Sequence, residues 1–246
     1  MTPPGSAADA FAAKTCSAPI ARSHQMRDIV VARLTATGPL RVLDLGCGTG
    51  SLAWLLADAL PAASVTGIDV SPSNILAAIA QAGSHASSAR VGFEVADYLE
   101  YRAGPFDAIV ADGVLHLIAG DTDTLVRKIA GDLRAGGVFI CSMPFDCLYN
   151  RTFAVVRRML RAVRSPLVDV AILRAGRLLH GREMDDDRLR ERVDYMYIPP
   201  ERMMNEALGQ QFASAGLRRT SELAMRSTSP SQLRHSATVF VRVAAR

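Results

Sequence analysis

Short apolar runs that end in acidic or glycine residues recur through the first half of the chain. The first run contains Leu40, Val42 and Leu43, is followed by the glycine-rich segment Asp44–Gly50, and precedes an apolar helical stretch that starts at Ser51. This order predicts a strand, a tight turn and a helix. Further runs predict strands at Val65–Ser71 and Val91–Asp97, and a fourth strand with its exit at Phe106–His116.

The glycine-rich turn narrows the class of ligand that could bind there. Glycines at 46, 48 and 50 allow a tight turn and let a ligand approach the main chain closely. Ser51 stands where a dinucleotide-binding fingerprint needs its third glycine, and the Gly-Lys-Ser/Thr of a phosphate loop is absent from the sequence. Asp44 precedes the turn, and its charge would repel a pyrophosphate and attract an ammonium or a sulfonium.

Two more acidic residues end predicted strands. Asp69 lies about twenty residues past the turn, where a carboxylate can accept two hydrogen bonds from a ribose diol. Pro72 follows it, with Ser71 as the cap of a predicted helix. Asp97 ends the third strand. Asp44 could instead be a charge at a helix N-terminus, and Asp69 and Asp97 could only cap helices. Three acids at strand ends nevertheless favour a ligand site, because open α/β sheets bind ligands there.

The turn and the runs that follow it resemble the motifs of class I S-adenosylmethionine-dependent methyltransferases. Residues Val42–Gly50 match the first motif, and the later segments up to residue 143 follow in the order and spacing of that family. The resemblance implies a Rossmann-like α/β fold, with a doubly wound, mostly parallel seven-stranded sheet, an antiparallel last strand and a helical lid insertion. It implies S-adenosyl-L-methionine as cofactor and S-adenosyl-L-homocysteine as product.

The same resemblance assigns the cofactor-binding residues. Asp69 would hold the ribose, Asp97 the adenine amino group, and Tyr98 would offer a stacking surface. The full set is Asp44, Gly46, Cys47, Gly48, Gly50, Asp69, Val70, Asn74, Ala96, Asp97, Tyr98, Asp112 and Gly113.

We expect one interrupted domain made of four regions. An N-terminal arm and helix (1–36) would form part of the cap, with the helix at Ala21–Thr35 either closing over the cofactor or only packing on the core. The cofactor-binding core (37–143) would be followed by the insertion (144–200). A C-terminal region (201–246) would complete the sheet through a helix at Glu201–Ala215 and strands at Leu217–Met225 and Ser236–Val243.

The insertion has three interpretations. Helices are predicted at Arg151–Arg164, Leu167–Leu179 and Asp185–Asp194, and the first is basic and amphipathic. The insertion could be a lid over the acceptor pocket, a dimer contact, or a surface that lies on an anionic membrane. The lid is preferred, since its place in the chain suits it and acids from Glu183 to Asp187 offset the arginines.

Composition excludes some classes of function. A formal net charge of +4 gives little electrostatic support for nucleic-acid binding. The 4 cysteines form no C-x-x-C pair, which predicts reduced thiols in a cytoplasmic protein and no metal site. Asp185–Asp187 could suggest magnesium, but a solvated helix start is the preferred interpretation. No signal peptide or transmembrane segment is expected, and the protein would be a monomer or a homodimer.

The expected chemistry is in-line methyl transfer to an oxygen or nitrogen of a small molecule, in bacterial specialised metabolism. The fold would mainly align the acceptor. His116 follows the fourth strand and is the candidate general base, although it could simply pack. Candidate acceptor contacts are His24, Tyr149, His180, Tyr195 and Tyr197. Methylation of RNA or of a protein side chain, and cofactor binding without catalysis, are the alternatives.

Overall fold

The computed structural model describes residues 19–34, 38–180, 189, 193–226 and 232–243. The strands are β1 (Leu40–Leu45), β2 (Ala63–Asp69), β3 (Val91–Val95), β4 (Phe106–Asp112), β5 (Leu133–Pro144), β6 (Leu217–Ala224) and β7 (His235–Arg242). The helices are α1 (Ile20–Val31), α2 (Ser51–Ala59), α3 (Pro72–Ala80), α4 (Thr122–Asp132), α5 (Leu148–Ala162), α6 (Pro166–His180) and α7 (Glu206–Ser214). Short 3₁₀ helices span Ala82–Ser84 and Ser88–Arg90.

The strands form one seven-stranded sheet in the order β3-β2-β1-β4-β5-β7-β6. Strands β1 to β5 pair in parallel, whereas β7 is antiparallel to both β5 and β6. The predicted doubly wound sheet with an antiparallel last strand is therefore confirmed. In the register of β1, Asp44 lies opposite Gly67 of β2 and Val110 of β4. Asp69 and Asp112, two residues further on, consequently end their strands at the same edge of the sheet.

Apolar side chains cover both faces of the sheet. On one face Leu125 and Ile129 of α4 and Phe212 of α7 pack against Phe139 and Phe240. On the other, α1 and α2 bury residues such as Met26, Val30, Leu52 and Leu56 against Val42, Val65 and Val110. Each fully buried side chain of this size contributes roughly 1.5–3 kcal/mol. These two cores fix the sheet edge at which the acidic residues meet.

Three helix boundaries differ from the predicted ones by three residues or more. Helix α1 ends at Val31 rather than at Thr35, and α5 begins at Leu148 rather than at Arg151. Helix α7 begins at Glu206 rather than at Glu201, because the Asn205 side chain accepts a hydrogen bond of 2.8 Å from the Leu208 amide. An N-cap of this kind sets where a helix starts.

Several predicted features lie outside the described residues. These are the arm at residues 1–18, Cys16, the acidic segment Glu183–Asp187, and most of the third insertion helix at Asp185–Asp194. Nothing in the structure bears on the four-region division itself.

Candidate functional site

A cavity of about 420 Å³ opens at the carboxyl ends of β1, β2 and β4. Pockets for small ligands have volumes of about 300–1,000 Å³. The glycine-rich turn and the strand ends form one end of this cavity, which we call the turn end. Other segments complete the wall, and we call this part of the cavity the lid end. It includes Arg22 of α1, Arg157 of α5, Tyr195, Met196, Leu233 and His235.

The turn after β1 follows the backbone path that its glycines allow. Gly46, Gly48 and Gly50 have φ angles of +69°, +53° and +82°, in the left-handed region that favours glycine. A Cβ at Gly46 would lie 2.5 Å from Cγ2 of Val114. The amides of Gly46 and Cys47 both donate to the Ile68 carbonyl at 2.9 Å, which ties the turn to β2.

Asp69 connects the turn to the start of α3. Its carboxylate accepts hydrogen bonds from the amides of Gly48 and Ser71, both at 2.9 Å, and from Nδ2 of Asn74 at 3.0 Å. Two carboxylate oxygens offer about four acceptor positions, so capacity for a ligand hydroxyl remains. Asp69 therefore organises the cavity wall in addition to lining it, together with Val70 and Asn74.

Asp44 is the most buried charged residue at the turn end. It is 1% exposed, and its Oδ2 has no hydrogen-bond partner among the described residues. Burial raises the pKa of this carboxyl to about 8, and the nearby carboxylates of Asp112 and Asp69 contribute to the rise. An unpaired buried carboxyl is costly unless it is protonated or meets a cation. This oxygen without a partner fits the ammonium group of S-adenosylmethionine.

The end of β3 contributes residues of different exposure. Ala96 and Asp97 line the cavity, and Asp97 is exposed, with Oδ1 accepting from the Leu99 amide at 2.9 Å. Tyr98 also lines the cavity but is only 3% exposed, and the Lys128 ammonium lies 4.7 Å from its ring centroid. One face of the ring therefore meets a cation, and stacking of the cofactor on Tyr98 stays a prediction.

Arg22 of α1 is the main functional candidate that the sequence analysis missed. Its Nε donates to Asp112 Oδ1 at 2.8 Å, and one Nη lies 2.6 Å from Ser142 Oγ and 3.0 Å from Nδ1 of His235. Gly113, with φ of +70°, passes so close that a Cβ there would overlap this guanidinium. Arg22 thus joins α1 to the ends of β4, β5 and β7.

The prediction for α1 placed the wrong side chain toward the cavity. His24 is exposed and does not line the cavity, whereas Arg22 and Ser23 do. Met26 and Val30 face the core, and in a helix the residues three and four positions earlier share that face. Arg22 and Ser23 lie four and three residues before Met26, and this helical spacing could have identified them from the sequence.

Two histidines approach each other between β4 and β7. His116 is 6% exposed, and its ring centroid lies 5.3 Å from that of His235 in an edge-to-face arrangement. Burial lowers the pKa of His116 well below its usual value, and the charges of Arg22, Arg157 and Arg202 lower it further. Its Nδ1 has no hydrogen-bond partner in the described part of the chain. His116 is therefore a neutral imidazole at neutral pH.

Arg157 brings a positive charge to the lid end. It is 7% exposed, and one Nη donates to the Ile198 carbonyl at 3.2 Å. Its Nε is without a partner within the described ranges. Burial lowers the pKa of its guanidinium to about 10.

Of the other predicted acceptor contacts whose side chains the structure describes, only Tyr195 lines the cavity. Tyr149 stacks on Phe153 at 4.7 Å, with the Arg234 guanidinium 4.6 Å from its ring centroid. Tyr197 is 3% exposed and donates to Asp169 at 2.5 Å, so it is part of the packing behind the cavity. His180 ends α6, and its side chain lies outside the described residues. Gly50 does not line the cavity; it shapes the turn as the residue before α2.

The strand order with one antiparallel strand, together with an acid and a glycine turn after β1, defines a class I methyltransferase domain. Residues 43–139 match the family model described as a methyltransferase domain. Residues 43–139 are therefore a methyltransferase domain, and the sheet has the fold of the class I S-adenosylmethionine-dependent methyltransferases.

Relatives with assigned activities are similar over part of the chain. Trans-aconitate 2-methyltransferase of Streptomyces avermitilis is 37% identical over 116 residues, which cover 46% of this chain and 43% of that protein. Methyltransferase GfsG of Streptomyces halstedii is 34% identical over 118 residues, covering 46% of this chain and 41% of that protein. The matched region thus spans less than half the length of either relative.

Solved structures share the fold over most of the chain. Magnesium protoporphyrin IX methyltransferase from Synechocystis, with bound SAH, has a TM-score of 0.60 and 19% identity, covering 91% of this chain and 84% of that one. The [4+2]-cyclase SpnF has a TM-score of 0.61 and 17% identity, covering 90% and 81%. At such identities the likeness shows the fold alone.

The described residues contain neither a metal-binding cluster nor a membrane span. No group of three or more His, Cys, Asp or Glu side chains there could hold a metal ion. Within the same residues, every helix is too short or too polar to cross a membrane.

Proposed function

We propose that the protein transfers a methyl group from S-adenosyl-L-methionine to an oxygen or nitrogen of a small-molecule acceptor. The observation that carries this proposal is the buried Asp44 carboxyl, whose Oδ2 has no hydrogen-bond partner among the described residues, in the wall of a cavity of about 420 Å³. A buried carboxyl oxygen with no partner in the described part of the chain suits a cationic group, and a cavity of this volume can hold a small acceptor beside the cofactor.

The residues at the turn end would hold the cofactor. Asp44 and the glycine-turn amides would bind its amino-acid part, Asp69 its ribose and Asp97 its adenine, with Val70, Asn74 and Ala96 completing the wall. When bound, the cofactor supplies a methyl group that its sulfonium already activates. The chain then has to align the acceptor with that methyl and exclude water, and such alignment can lower a barrier by roughly 7–11 kcal/mol.

The segments at the lid end would form the cap. Helix α1 and the insertion at 144–200 both contribute cavity-lining side chains, namely Arg22, Ser23, Arg157, Tyr195 and Met196. Cavity-lining positions on an insertion support the lid interpretation over a dimer contact or a membrane-bound surface. We place the acceptor between these segments and the turn end.

His116 is the candidate base where the acceptor carries a proton that must leave. It lines the cavity, and its Nδ1, which has no hydrogen-bond partner among the described residues, can accept a proton. Its lowered pKa keeps the imidazole neutral and ready to accept, although it also makes His116 a weaker base. An acceptor that is already an anion would not need this step.

The names of the relatives support a small acceptor. Trans-aconitate, named for several of them, is a small molecule, and a solved structure with the same fold is a toxoflavin-type N-methyltransferase. The free thiols of Cys47, Cys141 and Cys147 suit a reducing, cytoplasmic setting. We keep specialised metabolism, and a monomer or homodimer, as parts of this proposal.

A second candidate function is cofactor binding without methyl transfer. The [4+2]-cyclase SpnF shares this fold, and the activity in its name is a cyclisation and not a methyl transfer. Under this candidate the protein would bind the cofactor tightly and form no S-adenosyl-L-homocysteine with any acceptor.

The test combines binding and turnover. Calorimetry would measure the affinity for S-adenosyl-L-methionine, and mass spectrometry would detect S-adenosyl-L-homocysteine and methylated product across small acids, phenols and amines. We expect binding and transfer to at least one small acceptor. Transfer only to RNA or protein would reject the small-molecule assignment, and binding without turnover would favour the second candidate.

A further inference from the structure

The charged residues that line the cavity are separated by sign. Asp44, Asp69 and Asp97 line the turn end, and the fourth acid, Asp112, is paired with Arg22 at 2.8 Å. Arg157 lines the lid end and has no carboxylate within salt-bridge distance in the described part of the chain. The turn end is therefore acidic, and within the described residues Arg157 at the lid end has no carboxylate that compensates its charge.

The burial of Arg157 is unusual for its helix. Arg151, Arg158 and Arg161 of α5 are exposed, whereas Arg157 is 7% exposed. Its only hydrogen bond among the described residues runs to the Ile198 carbonyl at 3.2 Å, and its Nε has none. Burying a charge without a partner costs several kcal/mol, so a retained buried guanidinium favours a ligand that supplies the opposite charge.

The neighbours of Arg157 narrow the chemistry of that ligand. His116 lies within its electrostatic reach and is neutral, with an Nδ1 that has no partner in the described ranges. The remaining wall at this end includes apolar side chains such as Met196, Leu233 and Ile118. A planar guanidinium in an apolar setting matches a carboxylate, which it can bind through two parallel hydrogen bonds.

We propose that the acceptor is a small carboxylic acid, bound as its anion, and that Arg157 is the residue that recognises it. This inference rests on the proposed function and deepens it, because it names the class of acceptor. Arg157 contributes binding and selectivity, while the cofactor remains at the acidic end. A dipolar cavity of this kind orients the acceptor, since the anion and the cationic cofactor each occupy the end of opposite charge.

The experiment compares matched acceptors in matched variants. Each carboxylic acid would be paired with its primary amide, which is similar in shape and uncharged, and phosphonate analogues would test for other anions. The variants are Arg157→Met, Arg157→Lys, and Arg161→Met as the control, because Arg161 is exposed on the same helix. Binding of each acceptor would be measured by calorimetry with S-adenosyl-L-homocysteine present, and turnover by product formation.

We expect wild-type protein to bind acids at least about tenfold more tightly than their amides. Arg157→Met should weaken acid binding roughly 10- to 100-fold, the range for losing a hydrogen bond to a charged group, and leave amide binding unchanged. Arg157→Lys should retain part of the affinity, and Arg161→Met all of it. Cofactor affinity should be unchanged in every variant.

A second readout separates recognition from a structural role. A buried charge that awaits a ligand destabilises the free protein, so Arg157→Met should be as stable as wild type, or more stable, in urea denaturation. A purely structural arginine would give the opposite result.

The proposal and the function on which it rests fail in different ways. Equal affinity for acids and amides, tighter binding of phosphonates than of carboxylates, or equal losses for both acceptors in Arg157→Met would overturn the carboxylate assignment. Absence of turnover with every acceptor would overturn the proposed function, while the binding measurements would still decide the role of Arg157.

Discussion

The two ends of the cavity are built in different ways. The turn end is made from adjacent parallel strands, and main-chain amides of Gly46, Cys47 and Gly48 fix it to the end of β2. The lid end gathers side chains from α1, α5 and β7, which are far apart in sequence. Local backbone geometry therefore determines the first end, and long-range packing of charged side chains determines the second. Segments from both halves of the chain therefore have to fold before Arg157 and the turn end line one cavity.

The largest effect is expected at the turn end, for Gly46→Ala. The left-handed φ of +69° penalises any side chain, and the new Cβ would lie 2.5 Å from Val114. A left-handed residue costs roughly 1–2 kcal/mol and overpacking roughly 1–3 kcal/mol, so we expect a loss of about 2–4 kcal/mol in the free energy of unfolding.

Urea denaturation measures this loss, and Gly83→Ala is the control. A Cβ added at Gly83 would meet no heavy atom within 4 Å, and the φ angle of this residue is not positive. If Gly46→Ala were as stable as Gly83→Ala, the turn would not require a glycine at position 46.

Asp44→Asn should have the next largest effect, on cofactor binding. The amide keeps the size of the carboxyl but cannot compensate a cation, and losing a hydrogen bond to a charged group costs roughly 1.5–3 kcal/mol. We expect the Kd for S-adenosyl-L-methionine to rise roughly 10- to 100-fold, as measured by calorimetry. The control is Asp123→Asn, which changes an exposed acid in the first turn of α4. Equal Kd values in the two variants would remove Asp44 from the binding site.

The pH dependence of cofactor binding tests the same role of Asp44. Asp44, with its pKa raised to about 8 in the free protein, must lose a proton to pair with a cation. The affinity for the cofactor should therefore increase as the pH rises from about 6 to about 8, by at most about tenfold per unit. Calorimetry in buffers of different ionisation enthalpy would detect the released proton. Asp44→Asn should abolish the dependence, and an unchanged pH profile in that variant would assign it to another group.

The raised pKa of Asp44 also makes the free energy of unfolding depend on pH. Between its usual pKa of 3.8 and about 8, the folded protein holds a proton that the unfolded chain has lost. The free energy of unfolding contributed by Asp44 is therefore largest below about pH 4 and is lost as the pH rises to about 8. The stability difference between wild type and Asp44→Asn, measured without cofactor at several pH values, isolates this contribution from those of His116 and His235.

The sequence predicted the turn end in detail because its determinants are local. Glycine spacing and strand-end acids reflect backbone constraints that operate over a few residues, and the sheet order followed from the resemblance that these motifs carried. Cavity-lining residues such as Asp44, Gly48, Asp69 and Asn74 were all identified in this way. Their contacts with S-adenosylmethionine remain predictions.

The lid end could not be predicted, because its chemistry depends on which arginine is buried. Helix α5 carries several arginines at similar spacing, and only packing against Ile198 and Tyr195 distinguishes Arg157 from Arg158 and Arg161. Arg22 was likewise missed, since its partners Asp112, Ser142 and His235 lie at least 90 residues away. The predicted acceptor contacts were mostly aromatic residues instead. One of them, Tyr197, is buried in the packing behind the cavity.

The smallest effect is expected for Tyr197→Phe, a substitution that tests the packing behind the cavity. The hydroxyl donates to Asp169 at 2.5 Å, and the Arg164 guanidinium lies 4.5 Å from the ring centroid. Removing one hydrogen bond of this kind costs roughly 0.5–1.5 kcal/mol, and the Asp169 carboxylate, at 39% side-chain exposure, can bind water instead. We expect a loss of about 1 kcal/mol in unfolding free energy and an increase of a few-fold in the acceptor KM.

Tyr101→Phe provides the matched control for this change. Its hydroxyl lies 3.4 Å from Glu94, next to the edge strand β3 and away from the cavity lining. Its acceptor KM should equal that of wild type. If Tyr197→Phe instead weakens cofactor binding and leaves the acceptor KM unchanged, the two ends of the cavity are coupled more strongly than their separate construction implies. The division of labour between a rigid turn end and a packed lid end would then have to be abandoned.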